Sequence, residues 1–137
     1  LKTMNSAHRT LLKLSGGRLG WSAYDMPVLE LTTTGRKSGR ARTVMLTSPV
    51  QKGDSLAVVA SRGGDDTHPA WFLNLRDDPD VEVVLEGRDP RPYRAEVVDE
   101  DDRARLWSKI TADHHNYATY QSRTDREIPV VLLHPEQ

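Results

Sequence analysis

Hydrophobic and polar residues form several short strand-like runs along this 137-residue chain, which predicts a protein built mainly from β-strands. Runs rich in valine, leucine and threonine recur, and turn-forming residues separate several of them, as in segments 35–39, 52–54 and 87–90. Six strands are predicted in this way: Val28–Thr34, Ala41–Ser48, Ser55–Ser61, Val81–Glu86, Arg91–Val98 and Ile128–His134. The short connections between them favour mostly antiparallel pairing.

Helical periodicity is limited to a few segments. Residues 6–14 form an amphipathic pattern that stops at a pair of glycines, so residues 1–20 are predicted to be a helix and a loop. A second helix is predicted over residues 69–75, because Pro69 suits the first helical position and the apolar residues after it recur at helical spacing.

Two further helical features lie in the last third of the chain. Asp99 can cap a helix over residues 100–113, where acidic residues in the first turn are favoured by the helix dipole. Tyr117, Tyr120 and Arg123 follow at three-residue spacing, so they are predicted to share one helical face. A few helices beside antiparallel strands predict an α+β fold, a small barrel formed by one domain over residues 1–137.

Composition narrows the possible functions. The chain is 28% charged and has no apolar run long enough to cross a membrane, which predicts a cytoplasmic protein; peripheral membrane contact through residues 1–20 stays open. The absence of cysteine excludes disulfides, thiolate metal ligands and thiol catalysis. The chain begins with Leu1, so a missing N-terminal extension is also an open alternative, and the oligomeric state is not predicted.

Positive charge is concentrated at one predicted hairpin turn. Four cations lie within seven residues there: Arg36, Lys37, Arg40 and Arg42. No acidic residue lies between Glu30 and Asp54, and most acidic residues follow Asp77. A phosphate-binding P-loop is excluded, because Arg36 stands where its glycine should be and a strand follows instead of a helix. So narrow a cluster argues against nucleic acid and favours a pocket for a small polyanion; a solvated turn is the alternative.

A glycine-rich loop precedes the second predicted helix. Residues 61–66 run into His68 and Pro69, and such a connection can leave backbone N–H groups free for a ligand. The alternative is an ordinary strand-to-helix connection in which Trp71 and Phe72 are core residues.

The remaining candidate residues give mixed signals. His114 and His115 have no third ligand at metal-binding spacing, and the acidic run 99–102 fits a first helical turn, so no metal site is predicted. Tyr117 and Tyr120 could stack on a planar ligand and donate hydrogen bonds from neutral hydroxyls, or they could be core residues of an amphipathic helix.

Three motifs occur in one order: LTTTGRKSGRART at 31–43, VVASRGGDDTHPAWFLNL at 58–75 followed by DDPDVEV, and YATYQSRTDREIPVVLL at 117–133. Together, over about residues 28–134, they closely resemble the deazaflavin (F-420)-dependent nitroreductase and quinone reductase family. The resemblance implies a split β-barrel, related to the flavin-binding barrels of the pyridoxamine-phosphate oxidases. It also implies coenzyme F-420, an 8-hydroxy-5-deazaflavin with a phosphate and a polyglutamate tail; FMN is the alternative cofactor.

The implied activity is hydride transfer from reduced F-420 to a small-molecule electron acceptor, such as a quinone, an enone or a nitroaromatic compound. A non-catalytic barrel that binds deazaflavin or lipid is the alternative. By the match, one set of residues would bind the cofactor phosphate and tail: Arg36, Lys37, Ser38 and Arg42. A second set would line its ring side: Val59, Ala60, Ser61, Arg62, Gly63 and Gly64.

Other residues complete the implied site. The cofactor motif also includes His68, Pro69, Trp71 and Asn74, with Trp71 acting mainly by packing as an alternative. The acceptor would be bound by Thr47, His114, Tyr117 and Tyr120. Tyr120, or else Tyr117, would assist catalysis by stabilising charge on the acceptor oxygen. His114 stands where another pocket aromatic is expected, which leaves the range of acceptors open.

Overall fold

The computed structural model describes residues 22–23 and 26–136. The helix predicted over residues 6–14 lies outside this part. The described residues form eight strands: β1 (Ser22–Ala23), β2 (Met26–Thr34), β3 (Ala41–Thr47), β4 (Val50–Lys52), β5 (Ser55–Val59), β6 (Asp80–Leu85), β7 (Arg91–Val97) and β8 (Val130–Pro135). A short 3₁₀ helix and three α-helices accompany them: Arg62–Gly64, α1 (Ala70–Asp77), α2 (Glu100–Asp113) and α3 (Asn116–Ser122).

The strands form one curled sheet in which every described pair is antiparallel. The order is β1-β2-β6-β7-β8-β5-β4, and β3 pairs with the long strand β2. Strand β2 has nine residues, and its stretch Leu29–Thr32 has β3 on one side and β6 on the other. The sheet curls into a half-barrel.

The β2–β3 hairpin carries the cationic cluster at its tip, as predicted. Thr34 pairs with Ala41, so residues 35–40 form the turn. The turn is closed by two backbone bonds: the Gly35 amide donates to the Arg40 carbonyl, and the Gly39 amide donates to the Gly35 carbonyl, both at 2.8 Å. Gly39 has φ +70°, a conformation that favours glycine.

Two hydrophobic cores share β5 and β8 as a common wall. Val58 and Leu133 belong to the core under the curled sheet, where Phe72 of α1 also packs. Val59 and Leu132 face the second core, together with side chains of α2 and α3. Both faces of these strands are therefore buried, which accounts for their continuous apolar sequences.

The boundaries of the helices agree closely with the sequence analysis. Helix α2 spans residues 100–113, and the Asp99 carboxylate accepts a 2.9 Å hydrogen bond from the Asp102 amide, so the predicted cap is confirmed. Helix α1 begins at Ala70, one residue after the predicted start at Pro69, which precedes the helix in an extended conformation. His114 and His115 separate the end of α2 from the start of α3.

All six predicted strands are present, with small differences. The short strands β1 and β4 were not predicted, because two or three residues carry no detectable alternation. The predicted strand 55–61 ends at Val59, since Ser61 adopts a helical conformation that leads into the 3₁₀ helix. The predicted strand 128–134 begins later, at Val130.

A polar cluster lies at one end of the shared wall. The Ser55 hydroxyl is 2.6 Å from Nδ1 of His134, and Nε2 of His134 is 2.8 Å from the Glu96 carboxylate. These three side chains join β5, β8 and β7 across the sheet surface.

Candidate functional site

A cavity of about 930 Å³ lies between the cationic hairpin and the start of α1. Its size is near the upper end of the usual range for small-molecule and cofactor sites. The cavity is lined by residues from three segments: Gly35, Arg36, Lys37, Ser38, Ala41, Arg42, Thr43 and Val44 from the hairpin, Arg62 from the glycine-rich loop, and His68, Pro69, Ala70, Trp71, Leu73 and Asn74 from the start of α1.

Nine of the fourteen predicted cofactor residues line this cavity. They are Arg36, Lys37, Ser38, Arg42, Arg62, His68, Pro69, Trp71 and Asn74. The structure thus brings together two segments that are separated by about 30 residues in the chain. The other five predicted residues lie in the strand end and loop at 59–64, which follow directly before or after Arg62.

The charge of the cavity is strongly positive. Its hairpin cations Arg36, Lys37 and Arg42 are exposed, and no carboxylate among the described residues forms an ion pair with them. Arg62 adds a fourth positive charge from the opposite loop. Uncompensated cations around a concave surface create a field that favours a small anionic ligand. Arginine adds bidentate hydrogen bonding to phosphate or carboxylate.

Part of the cavity lining is apolar, and we call this part the apolar wall. Val44, Trp71 and Leu73 line it, and each also packs against the core under the sheet. The cavity therefore offers a cationic rim for anionic groups and an apolar surface for a planar ring system. This combination fits a large cofactor with an aromatic head and an anionic tail.

Asn74 attaches the cationic hairpin to α1. Its side chain is 4% exposed; the amide oxygen accepts from the backbone N–H of Arg36 at 3.1 Å, and the amide nitrogen donates to the Thr33 hydroxyl at 3.1 Å. Both hydrogen-bonding groups of the Asn74 side chain are thus used within the protein. Asn74 fixes the position of the turn that carries the cations.

The glycine-rich loop is packed tightly against α3. Gly64 has φ +88°, and a Cβ placed there would lie 2.6 Å from the backbone oxygen of Tyr120. The Arg123 guanidinium donates to the Gly63 carbonyl at 3.1 Å. Both the backbone conformation and the close approach of α3 therefore favour glycine at position 64, independently of any contact with a ligand.

Val59 and Ala60 were predicted to line the ring side of the cofactor. The two residues are 8% and 0% exposed, and their side chains belong to the two cores. Any contact with a ligand at these positions would have to use the backbone. The prediction for these residues stays a prediction.

Arg126 is a residue of this region that the sequence analysis did not identify. Its Nε donates to the Asp65 carbonyl at 2.8 Å, and its Nη2 donates to the carbonyls of Ala60 and Ser61 at 3.2 and 3.0 Å. Its Nη1 is 3.1 Å from Nδ1 of His68. Arg126 lies within the third sequence motif, but nothing in the motif showed which loop it would contact.

A side-chain network holds the segment that carries Arg126. The Gln121 amide donates to the Arg126 carbonyl at 2.7 Å and accepts from the Ile128 amide at 2.9 Å and from Nη2 of Arg103 at 3.2 Å. The Arg103 guanidinium also lies over the Trp107 ring, 4.6 Å from its centroid. Helix α2 thereby fixes the loop that carries Arg126.

Burial and neighbouring cations affect His68. Burial lowers the pKa of its imidazole, and the nearby charges of Arg126 and Arg76 lower this pKa further. The His68 ring also lies 4.7 Å from the Phe72 ring, between centroids. Both effects on the pKa favour the neutral form of His68 over the charged form, beside the cations of the cavity.

The predicted acceptor residues form a second group around Tyr117. The Tyr117 hydroxyl is 3.4 Å from the Thr47 hydroxyl and 3.8 Å from the Met26 sulfur. The Tyr117 ring makes edge contacts with the rings of Tyr120 and His114, at centroid distances of 6.0 and 6.5 Å. The structure thus brings all four residues together, although none of them lines the cavity.

The two tyrosines differ in exposure. Tyr117 is 6% exposed and is part of the second core, so burial raises the pKa of its hydroxyl. Tyr120 is half-buried, and the Arg123 guanidinium lies 5.7 Å from its ring centroid. The alternative reading of Tyr117 as a core residue is supported by its burial, whereas Tyr120 keeps an accessible surface.

Two further observations concern residues 22–23 and 26–136. No helix in this part is long and apolar enough to cross a membrane. No group of three or more His, Asp or Glu side chains in this part is placed to hold a metal ion. The cytoplasmic location and the possible peripheral membrane contact stay predictions.

Known proteins similar to this chain support the family resemblance of the sequence motifs. A F420H(2)-dependent quinone reductase of Mycobacterium tuberculosis is 39% identical over 132 residues, which cover 92% of this chain and 86% of the relative. A solved F420-H2 dependent reductase has a TM-score of 0.67 and 37% identity, covering 78% of this chain and 93% of that one.

A second solved structure, described as a domain-swapped dimer, has a TM-score of 0.71 and 35% identity and covers 97% of this chain and 99% of that one. These likenesses confirm the predicted split β-barrel. The family model for F420H(2)-dependent quinone reductase matches residues 5–135, nearly the whole chain. The chain therefore belongs to the F420H(2)-dependent quinone reductase family.

Proposed function

We propose that this protein is an oxidoreductase that binds reduced coenzyme F-420 in the cationic cavity and reduces quinones. Membership of the family supports the activity and the cofactor. The observation that carries the proposal is the cavity itself, which combines four cations without ion-pair partners among the described residues and an apolar wall.

The charged residues of the cavity fit the anionic part of this cofactor. Arg36, Lys37 and Arg42 would bind the phosphate and the carboxylates of the polyglutamate tail, since both are planar or tetrahedral anions that guanidinium and ammonium groups recognise. Asn74 holds the hairpin in place while these side chains remain free to contact the ligand. FMN carries one phosphate and no such tail, so it would engage fewer of these cations.

The apolar wall would hold the ring system. Trp71 and Leu73 line the cavity from α1, and Val44 lines it from β3. The backbone of residues 59–62 would border the ring on the side of the glycine-rich loop, with its carbonyls at 60 and 61 already bound by Arg126.

Bound in its reduced form, the deazaflavin supplies a hydride from carbon 5 of its ring. Reduction of a quinone then requires one proton at the acceptor oxygen as charge develops there. Tyr120 would donate a hydrogen bond to that oxygen, because its phenol hydroxyl is a donor and its side chain is partly accessible, while Tyr117 supports its ring from the core. Enones and nitroaromatic compounds are further acceptors of the same chemical type.

The test is the reoxidation of reduced F-420 by menadione, followed by the return of cofactor absorbance. We expect turnover with F-420 and tight binding of F-420 compared with FMN in a fluorescence titration. Binding without turnover for all quinones and nitroaromatics tested would instead identify a non-catalytic deazaflavin-binding protein. Equal affinity for F-420 and FMN at low salt would contradict the assignment of the cations to the tail.

A further inference from the structure

We propose that Arg126 is a positioning residue that fixes His68 as a neutral imidazole with its proton on Nε2, so that His68 donates a hydrogen bond to an uncharged acceptor atom of the ligand in the cavity. The proposal concerns the tautomer of one ring and the residue that sets it. Its first half depends only on contacts within the protein.

The orientation of the Arg126 guanidinium is fixed by three backbone carbonyls. Nε donates to Asp65, while Nη2 donates to Ala60 and Ser61. Bonds from two different nitrogen atoms to carbonyls on one loop define the plane of the group. Nη1 is then directed at Nδ1 of His68, at 3.1 Å.

The chemistry of the two groups decides the tautomer. A guanidinium carries only N–H donors and has no acceptor atom. Nδ1 of His68 must therefore accept, which requires that it carry no proton. In the neutral ring the proton then resides on Nε2, and protonation of Nδ1 would set two donors against each other.

The charges around His68 disfavour its protonation as well. Arg126 faces it from the loop after α3 and Arg76 from α1, and both lower its pKa after the larger effect of burial. The cavity adds the exposed cations Arg36, Lys37, Arg42 and Arg62. The nearby acids are occupied elsewhere: Asp65 accepts from the Thr67 amide and hydroxyl, and Asp66 accepts from the Thr124 hydroxyl.

The other ring nitrogen, Nε2, is available to a ligand. His68 lines the cavity, and no residue among 22–23 and 26–136 forms a hydrogen bond with its Nε2. A neutral donor among four cations suits an uncharged acceptor, such as a carbonyl oxygen or an unprotonated ring nitrogen. We assign this acceptor atom to the ring of the cofactor, and this assignment rests on the proposed function.

The tautomer can be measured directly by two-bond ¹H–¹⁵N NMR of the ligand-free protein. The chain has five histidines, so the His68→Gln variant identifies the His68 signals by their loss. We expect the pattern of a neutral ring protonated at Nε2, unchanged as the pH falls through about 6.5, the ordinary pKa of histidine. A ring protonated at Nδ1, or one that titrates at its ordinary pKa, would overturn the proposal.

Substitution of Arg126 tests its role as the positioning residue. Arg126→Met should remove the tautomer preference and return the pKa of His68 towards its ordinary value. Arg126→Lys, which keeps the charge but lacks the rigid fork that bonds the loop carbonyls and Nδ1 together, provides a second variant should the first fail to fold. Without a donor held at Nδ1, its His68 should show a mixture of tautomers. Arg123→Lys is the matched control, because Arg123 donates to the same loop at Gly63 without touching His68. If the control changes the His68 spectrum as much as the Arg126 variants, the proposal is wrong.

Ligand binding tests the donor role separately. His68→Gln places an amide N–H near the position of Nε2 and should keep F-420 affinity within about threefold, whereas His68→Phe should weaken it about three- to tenfold, as expected for one neutral hydrogen bond. Saturation with F-420 should shift the Nε2 signal of the wild-type protein. Binding without such a shift would refute the donor role and leave the proposed function intact. Failure of F-420 to bind would contradict the proposed function, and the spectrum of the free protein would still decide the tautomer.

Discussion

Replacing the hairpin cations one at a time should separate a binding site from a merely charged surface. Lys37→Ala and Arg42→Ala each remove one exposed cation that lines the cavity. Arg40→Ala is the matched control, because Arg40 belongs to the same turn and is equally exposed but does not line the cavity. The control removes the same net charge from the same hairpin.

The expected magnitude follows from exposure. Hydrogen bonds that involve a charged group contribute about 1.5–3 kcal/mol, and solvent screening at an exposed hairpin favours the lower end of this range. We therefore expect each cavity variant to lose about 1.5 kcal/mol, or roughly tenfold in F-420 affinity. Arg40→Ala should lose less than about twofold, since its charge acts only through screened long-range attraction.

The assay is a fluorescence titration with F-420 at two salt concentrations, alongside thermal unfolding. The melting temperatures of all three variants should match the wild type, because none of these side chains packs in a core. The affinity of the double variant Lys37→Ala/Arg42→Ala should depend less on salt than that of the wild type. If Arg40→Ala weakens binding as much as the other two, the cavity cations act only as a general field, and their assignment to phosphate and tail is wrong.

Three further predictions concern other parts of the site. Asn74→Ala leaves the buried Thr33 hydroxyl and the partly buried Arg36 amide without their partner, so unfolding free energy should fall by about 2–3 kcal/mol and F-420 affinity should fall with it; an unchanged melting temperature would contradict this role. Gly64→Ala should destabilise the fold more than Gly63→Ala in thermal unfolding, because both have positive φ but only position 64 meets the backbone of α3; equal losses would show that strain alone matters. Tyr120→Phe should lower the turnover of quinones about ten- to a hundredfold at unchanged F-420 affinity, whereas Tyr117→Phe should change mainly stability; wild-type turnover in Tyr120→Phe would exclude its hydroxyl from catalysis.

Local patterns predicted the fold well where they were strong. Asp99 before an acidic turn predicted the start of α2, and the alternation of residues 28–34 predicted β2. The three-residue strand β4 could not be found in this way, since its pairing with β5 is a property of the sheet and not of its own sequence. Similarly, the end of β5 at Val59 depends on the loop that follows it.

The sequence predicted many of the residues that line the cavity but not the contacts among them. The cationic turn and the His68–Asn74 segment could be identified from sequence, and the structure brings them to one cavity. The contact between Arg126 and the carbonyls of 60, 61 and 65 joins positions about 60 residues apart. Such a contact depends on tertiary packing, which leaves no periodic or compositional signal in a single sequence. The burial of Tyr117 is of the same kind.

Because β5 and β8 are buried on both faces, their hydrophobic pattern does little to fix the register in which they pair during folding. In most sheets a slip by one residue is prevented because it would move polar side chains into the core. Here a slip of β8 would exchange Val131 and Leu133 with Val130 and Leu132, which are equally apolar. The hydrophobic pattern therefore discriminates weakly between registers along this wall. The hydrogen bonds of His134 to Ser55 and Glu96 form only in the native register. They therefore stabilise the native register relative to registers shifted by one residue.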